Sequence, residues 1–150
     1  MKLYRGFKRP IADGLHINQF RATPRISTHT PINIHLHSDE WFYNTFGIRA
    51  RTNCVICSTD ILQAKIYATN GSLALITPIN TYRLIFSLQV RDFLDITIDV
   101  CNQDKNTIFT CLANKEYCIV DSVEKLPGDF SGEVMLDCEQ YEVLTINKFI

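Results

Sequence analysis

"CEQYEVLTI", residues 138–146, decides how the rest of the chain is read. Val143, Leu144 and Ile146 suit a pleated, half-buried surface, so the stretch predicts a strand. Gln140 and Glu142 stand two apart, and on an extended chain such side chains point to the same side. They can reach one cleft together while Tyr141 points elsewhere. A carboxylate stabilises positive charge, and a carboxamide both donates and accepts hydrogen bonds. A strand that buries itself immediately afterwards would hold the pair rigid against a ligand.

Working outward from this strand, residues 107–112, 116–121 and 132–138 also read as strand-like, as does 141–147. The stretch 83–101 is mixed, "YRLIFSL" favouring a strand and "VRDFLDITIDVC" a short helix. "SLALITPI" is a β-rich run ended by Pro78 and Asn80. Before it, "STDILQAKIYATNG" predicts a helix capped by Ser58, Thr59 or Asp60 and closed by Asn70-Gly71. "RTNCVICS" reads as a strand. Thr30-Pro31 has the form of a helix start, with Thr as N-cap and Pro at the first helical position. That helix is expected to reach about Thr45, with Ile34, Trp41 and Phe42 on its apolar side, and to stop at Gly47. Residues 9–30 read as loop, and "KLYRGF" as a short first strand. Helices early and strands late predict one α+β domain over residues 1–150 rather than a doubly wound parallel sheet.

A chain of 150 residues is long enough to bury roughly two-thirds of its unfolded surface. With 46% hydrophobic and 21% charged residues it belongs among globular rather than disordered chains. No apolar run approaches the ~20 residues of a membrane span. Residues 1–9 lack the apolar core of a secretory signal, so a cytoplasmic location is expected. The six cysteines (Cys54, Cys57, Cys101, Cys111, Cys118 and Cys138) scatter over expected core strands and read as free buried thiols. The net charge of −1 hides an asymmetry. Residues 1–52 carry eight Lys/Arg against three acids, a balance of +5, and the remainder seven against thirteen, a balance of −6. A basic first third suits an anionic ligand, a dinucleotide pyrophosphate or nucleic acid; equally, the two parts could attract each other across the fold.

Three further features join the terminal pair. "LYRG" embeds Arg5 in the first strand, followed by Gly6. "CVICSTD" is an apolar strand ending in Ser58-Thr59, followed by the helix "ILQAKIYA" and the strand "GSLALITPI". "QYEVLTI" comes last. In this order they resemble the three motifs of the ADP-ribosyltransferase fold, in the arginine–serine–glutamate branch of cholera-toxin-like and clostridial toxins. The middle motif departs from the family in having Asp60 where many members have a second serine.

The resemblance implies a split mixed or antiparallel sheet around an NAD cleft, with NAD as substrate and no metal. Glu142 would hydrogen-bond the ribose 2′-hydroxyl and stabilise an oxocarbenium-like transition state, and Gln140 would orient the acceptor. Arg5 would hold phosphate or ribose oxygens, the Gly6 backbone would approach the nicotinamide amide, and Ser58, with Thr59 beside it, would fix the ribose. A glutamine cannot deprotonate a guanidinium, so the acceptor stays open between protein and nucleic acid. By analogy, the chain would be an intracellular effector such as a toxin of a toxin–antitoxin or phage-defence system, with an antitoxin protein as a further partner. Two rivals stand beside this one: an NAD hydrolase with water as acceptor, and a non-enzymatic binding protein with Arg5 and Glu142 in a surface ion pair.

Other signals carry less. His35-Leu36-His37 would diverge on a helix, and Cys54-Val55-Ile56-Cys57 lacks a second pair at zinc spacing. Arg49-Ala50-Arg51 could reach a phosphate or merely flank a strand. No phosphate loop, dinucleotide glycine fingerprint or Ser-His-Asp series is present.

Overall fold

The computed structural model describes residues 1–100 and 103–147. The β-branched and aromatic runs form eight strands: β1 (Leu3–Phe7), β2 (Gly14–Ile17), β3 (Val55–Ser58), β4 (Ser72–Pro78), β5 (Tyr82–Phe86), β6 (Cys118–Val120), β7 (Glu133–Cys138) and β8 (Gln140–Asn147). They make one sheet in the order β2-β8-β4-β1-β3-β7-β5-β6, with every pairing antiparallel. Together with the helices α1 (Ile32–Phe46), α2 (Ala50–Asn53), α3 (Ile61–Ile66), α4 (Leu94–Asp99) and α5 (Lys105–Ala113), this is the expected α+β class. The sheet is continuous but thin at its centre. β1 and β3 share a single register pair, Tyr4↔Ser58, whereas β3 and β7 are paired from Val55↔Leu136 to Ser58↔Glu133. Where β1 and β3 part, Arg5 donates Nη1 to the Ile56 carbonyl at 2.7 Å.

Alternation along β7 assigns its side chains to two cores. Val134, Leu136 and Cys138 pack with Leu3, Val55, Ile76, Leu84, Tyr141 and Val143. Met135 points the other way, to Phe42, Ile85, Phe93, Ile108 and Leu112. Glu133 and Asp137 share Met135's side by the same alternation. Phe42 and Leu112 are fully buried, and each such side chain stabilises the fold by about 1.5–3 kcal/mol.

Helix ends follow local chemistry in most places. α1 stops at Gly47, whose φ of 74° is left-handed and whose N–H donates to the Tyr43 carbonyl. Its start differs from expectation: Pro31 occupies the N-cap with no side-chain hydrogen bond, and Thr30 instead donates its N–H to Ser27 Oγ. α3 is capped by Asp60, whose carboxylate accepts the Leu62 N–H at 2.9 Å. This helix lies so close to β1 that a Cβ on Gly6 would stand 2.3 Å from the Ala64 carbonyl oxygen.

Several expectations are corrected. Residues 107–112 are helical, within α5. Asp104 caps that helix by accepting the Thr107 N–H at 2.8 Å, and Ile108 and Leu112, one turn apart, are buried together. Cap and i,i+4 spacing override the strand propensity of its Thr, Ile and Phe residues. The first half of "RTNCVICS" coils into α2. The supposed loop 9–30 contributes β2, paired with β8 from Gly14↔Val143 to Ile17↔Gln140. Helices are not confined to the first half, since α4 and α5 follow β5. The described cysteines are free; Cys54, Cys57 and Cys138 are buried, but Cys118 is exposed, and Cys101 lies outside the described residues.

Candidate active site

A cavity of about 520 Å³ opens beside the parting of β1 and β3. Its positive wall is built from α1 outward. Asp39, buried on α1, accepts the backbone N–H groups of Arg51 and Thr52 at 3.0 and 3.1 Å through one oxygen, and the Thr52 hydroxyl at 3.0 Å through the other. The residue at the N-cap of α2, Arg49, makes no side-chain cap, so Asp39 caps that helix from the side. This fixes Arg51, which is 4% exposed. Its guanidinium carbon lies 3.9 Å over the Phe93 ring, and its Nη1 donates to Glu133 Oε1 at 2.9 Å. Arg25 is held alongside by donating Nε to the Arg51 carbonyl at 3.2 Å.

Two guanidiniums therefore face one carboxylate. Burial, and then the nearness of Arg51, lower the Arg25 pKa to about 10. Behind them His35 is pushed below its ordinary value, first by burial and then by Arg25. Arg25 Nη2 and Arg51 Nε are buried without a hydrogen-bond partner. A buried donor left unpaired costs about 1–3 kcal/mol, and more when charged; Arg25 and Arg51 both line the cavity beside Glu133.

In the same lining the Tyr67 hydroxyl donates to Asp92 Oδ2 at 2.6 Å, and burial followed by this contact raises the phenol pKa. Asp92 Oδ1 accepts the Leu94 N–H at 2.9 Å, so both of its oxygens are engaged. Phe7 and Tyr67, both partly exposed, add aromatic surface to the lining, suited to the faces of planar rings.

Of the residues singled out from sequence, Arg5, Gly6 and Ser58 line this cavity. The Arg5 guanidinium lies 5.2 and 5.7 Å from the ring centres of Phe7 and Phe20. Gly6 has no room for a side chain, because α3 lies against it. Ser58 Oγ donates to Gln63 Oε1 and accepts the Asp60 N–H at 3.0 Å. Thr59 stands outside the lining: its Oγ1 donates to the Phe130 carbonyl and accepts the Gly132 N–H, both at 3.1 Å. It pins the chain just ahead of Glu133.

Gln140 and Glu142 are not brought to this cavity. They lie on β8, separated from β7 by β4, β1 and β3. Glu142 is exposed, cross-strand from Leu15 and Thr77, and Gln140 is cross-strand from Ile17. Alternation buries Tyr141 and Val143 and turns the polar pair to the other side. Besides Asp92, the carboxylate lining the cavity is Glu133, first residue of β7, cross-strand from Ser58 with its side chain 14% exposed. Sequence reasoning passed over it, although "GEVML" after the turn-rich "LPGDFS" has the same Glu-Val opening as "YEVLT". Arg51 had a signal in Arg49-Ala50-Arg51; Arg25 had none.

Compared with family models, with curated proteins and with solved structures, the chain matches none of them. Among the described residues no group of three or more His, Cys, Asp and Glu is placed to hold a metal ion, and no helix is long and apolar enough to cross a membrane.

Proposed function

We propose that this chain is a mono-ADP-ribosyltransferase that breaks the nicotinamide–ribose bond of NAD and passes ADP-ribose to an acceptor. The observation that carries the reading is the placing of two guanidiniums, of Arg25 and Arg51, in the cavity lining beside the carboxylate of Glu133. A dinucleotide offers pyrophosphate oxygens to the guanidiniums, a ribose hydroxyl to Glu133, and planar rings to the partly exposed aromatic surfaces of Phe7 and Tyr67. The role that the family resemblance gave to Glu142 passes to Glu133.

As the bond breaks, its electron pair leaves with the nicotinamide nitrogen and C1′ of the ribose becomes oxocarbenium-like. The Glu133 carboxylate, positioned by Arg51 and shielded from water, stabilises that charge and accepts a hydrogen bond from the 2′-hydroxyl. Arg5 holds ribose or phosphate oxygens from the β1 side. The acceptor then bonds to C1′ and gives up its proton. Ser131, exposed, stands two residues before Glu133, where an acid would stand in the arginine-modifying pattern. With Asp92 engaged by Tyr67 and Leu94, no second carboxylate in the cavity is free to deprotonate a guanidinium. This favours acceptors that need no strong base. Water is one, and it makes an NAD glycohydrolase the second reading. The setting proposed with both is an intracellular, cytoplasmic effector of the toxin or phage-defence kind, with an antitoxin as partner, on family analogy.

Adenine-labelled NAD, incubated with the protein in cell extract treated separately with nuclease and protease, tests the reading. Nicotinamide release and attached label that both vanish in Glu133→Gln support the transferase. Release without attachment identifies the hydrolase. Neither release nor NAD binding would leave a non-enzymatic binding protein.

A further inference from the structure

A second cleft, of about 390 Å³, lies at the other end of β7 and collects Arg21, Arg49 and Arg83 around Asp137. Arg83 donates Nε and Nη2 to Asp137 Oδ2 at 3.3 and 3.1 Å, and Arg21 donates Nη2 to Oδ1 at 3.0 Å. Arg49 lies 4.6 Å over the Tyr43 ring and reaches Asp39 at 3.4 Å, an acid already committed to α2. The lining holds three cations and one carboxylate, and with Asp39 behind Arg49 counted the balance is an excess of one positive charge. The three arginine side chains are 45–50% exposed, whereas that of Asp137 is 13% exposed. The carboxylate is sunk, and the guanidiniums keep unused N–H groups at the surface. The partial negative charge at the C-terminal end of α1 offsets only a fraction of this excess.

The position of the cleft matters as much as its charge. Asp137 and Glu133 lie on the same side of β7, four residues apart, about 13 Å at ~3.3 Å per residue. α2 and its flank bridge the two sites, with Arg49 lining one cleft and Arg51 the other. A strand of nucleic acid rising ~3.4 Å per nucleotide would cover that span in about four nucleotides. Guanidinium forks match phosphate oxygens, and Tyr43, 47% exposed, offers a face beside them for an unstacked base.

We propose that this cleft binds the phosphate backbone of single-stranded nucleic acid. Taken with the transferase reading above, on which this second half rests, nucleic acid rather than protein is the acceptor, drawn past Glu133 by the arginines of the second cleft.

The test measures fluorescence anisotropy of labelled mixed-sequence 20-nucleotide DNA, RNA and duplex DNA between 50 and 200 mM salt. The proteins are the wild type, Arg21→Gln/Arg49→Gln/Arg83→Gln, the corresponding triple Lys variant, and Asp137→Asn. The wild type is expected to bind single strands, with affinity falling steeply with salt. The Gln variant should lose about two units of the log–log salt slope, at ~0.7 per phosphate contact, and 10- to 100-fold in affinity at low salt. The Lys variant should restore the slope. Asp137→Asn should bind more tightly than wild type, which keeps the proposal testable if circular dichroism shows the Gln variant unfolded. No binding at 50 mM salt, a slope unchanged in a folded Gln variant, or an unchanged Asp137→Asn would overturn it.

With labelled NAD, nuclease-sensitive label that the Gln variant loses while still releasing nicotinamide supports the acceptor half. Protease-sensitive label overturns that half. If no protein releases nicotinamide but strand binding and its slope persist, the transferase reading fails while the nucleic-acid cleft stands.

Discussion

Glu133 and Glu142 each precede a valine in a C-terminal strand, and as local sequence they are nearly interchangeable. Their surroundings differ completely. β7 lies against β3, so Glu133 faces Ser58, and Arg51 closes over it at 2.9 Å. β8 lies between β2 and β4, so Glu142 faces Leu15 and Thr77 and stays exposed. A carboxylate at a strand start becomes a chemical group only when the neighbouring strand and the layer above supply its partners. Here α1 supplies them indirectly, through Asp39 and then Arg51.

The sharpest way to break this contrast is to neutralise each glutamate in turn. Glu133→Gln should lower nicotinamide release from NAD by about 10²–10³-fold, and Glu142→Gln should leave it within about twofold, in an assay of initial rates. The opposite ranking would return the chemistry to β8. Next in size is the support behind Arg51. Asp39→Ala removes a buried acceptor of four hydrogen bonds and should cost about 3 kcal/mol, read as a fall in the urea midpoint that Glu142→Gln does not show.

The arginines themselves come third. Arg25→Met and Arg51→Met should each weaken NAD binding about 10- to 100-fold, from the ~1.5–3 kcal/mol of a charge-assisted hydrogen bond, as measured by calorimetry. Smaller again is the cap of the helix that follows Ser58. Asp60→Ala should destabilise by about 1 kcal/mol, whereas Thr30→Ala, whose side chain caps nothing in α1, should be close to neutral in the same melts.

The thiols should have no effect at neutral pH. Burial raises Cys57 and Cys138 from 9.0 to about 12. Between these values the unfolded chain gives up thiol protons that the folded chain keeps, so the contribution of these two thiols to stability is constant below pH 9 and falls progressively from pH 9 to 12. Urea midpoints across that range would check it, with a shallower fall in Cys57→Ala.

The residues singled out from the sequence include Arg5, Gly6 and Ser58 of the cavity lining but not Glu133. Arg5 and Ser58 could be found because each sits in a short motif whose strand is evident from its own residues. Glu133 was passed over because "GEVML" and "YEVLT" look alike until one knows which strand β3 accepts as its neighbour. Arg25 was invisible for a related reason: it lies in a stretch of Pro, Ser and Thr residues with no periodicity, and only Arg51 and Glu133 give it a role. The misread helix at 107–112 failed differently, since the Asp104 cap was there to be read but β-branched residues outweighed it.

By itself the sequence determined the local elements: β1 around Arg5, the stop of α1 at Gly47, the start of α3 after Ser58-Thr59-Asp60, and the strand character of both C-terminal runs. Each depends on neighbours a few residues away, through alternation, capping or backbone freedom. Only the tertiary structure decided that β7 lies beside β3, that β1 parts from β3 at Arg5, and that Asp39 carries Arg51 onto Glu133. Those pairings join residues far apart in the chain, and strand order depends on which surfaces can be buried together.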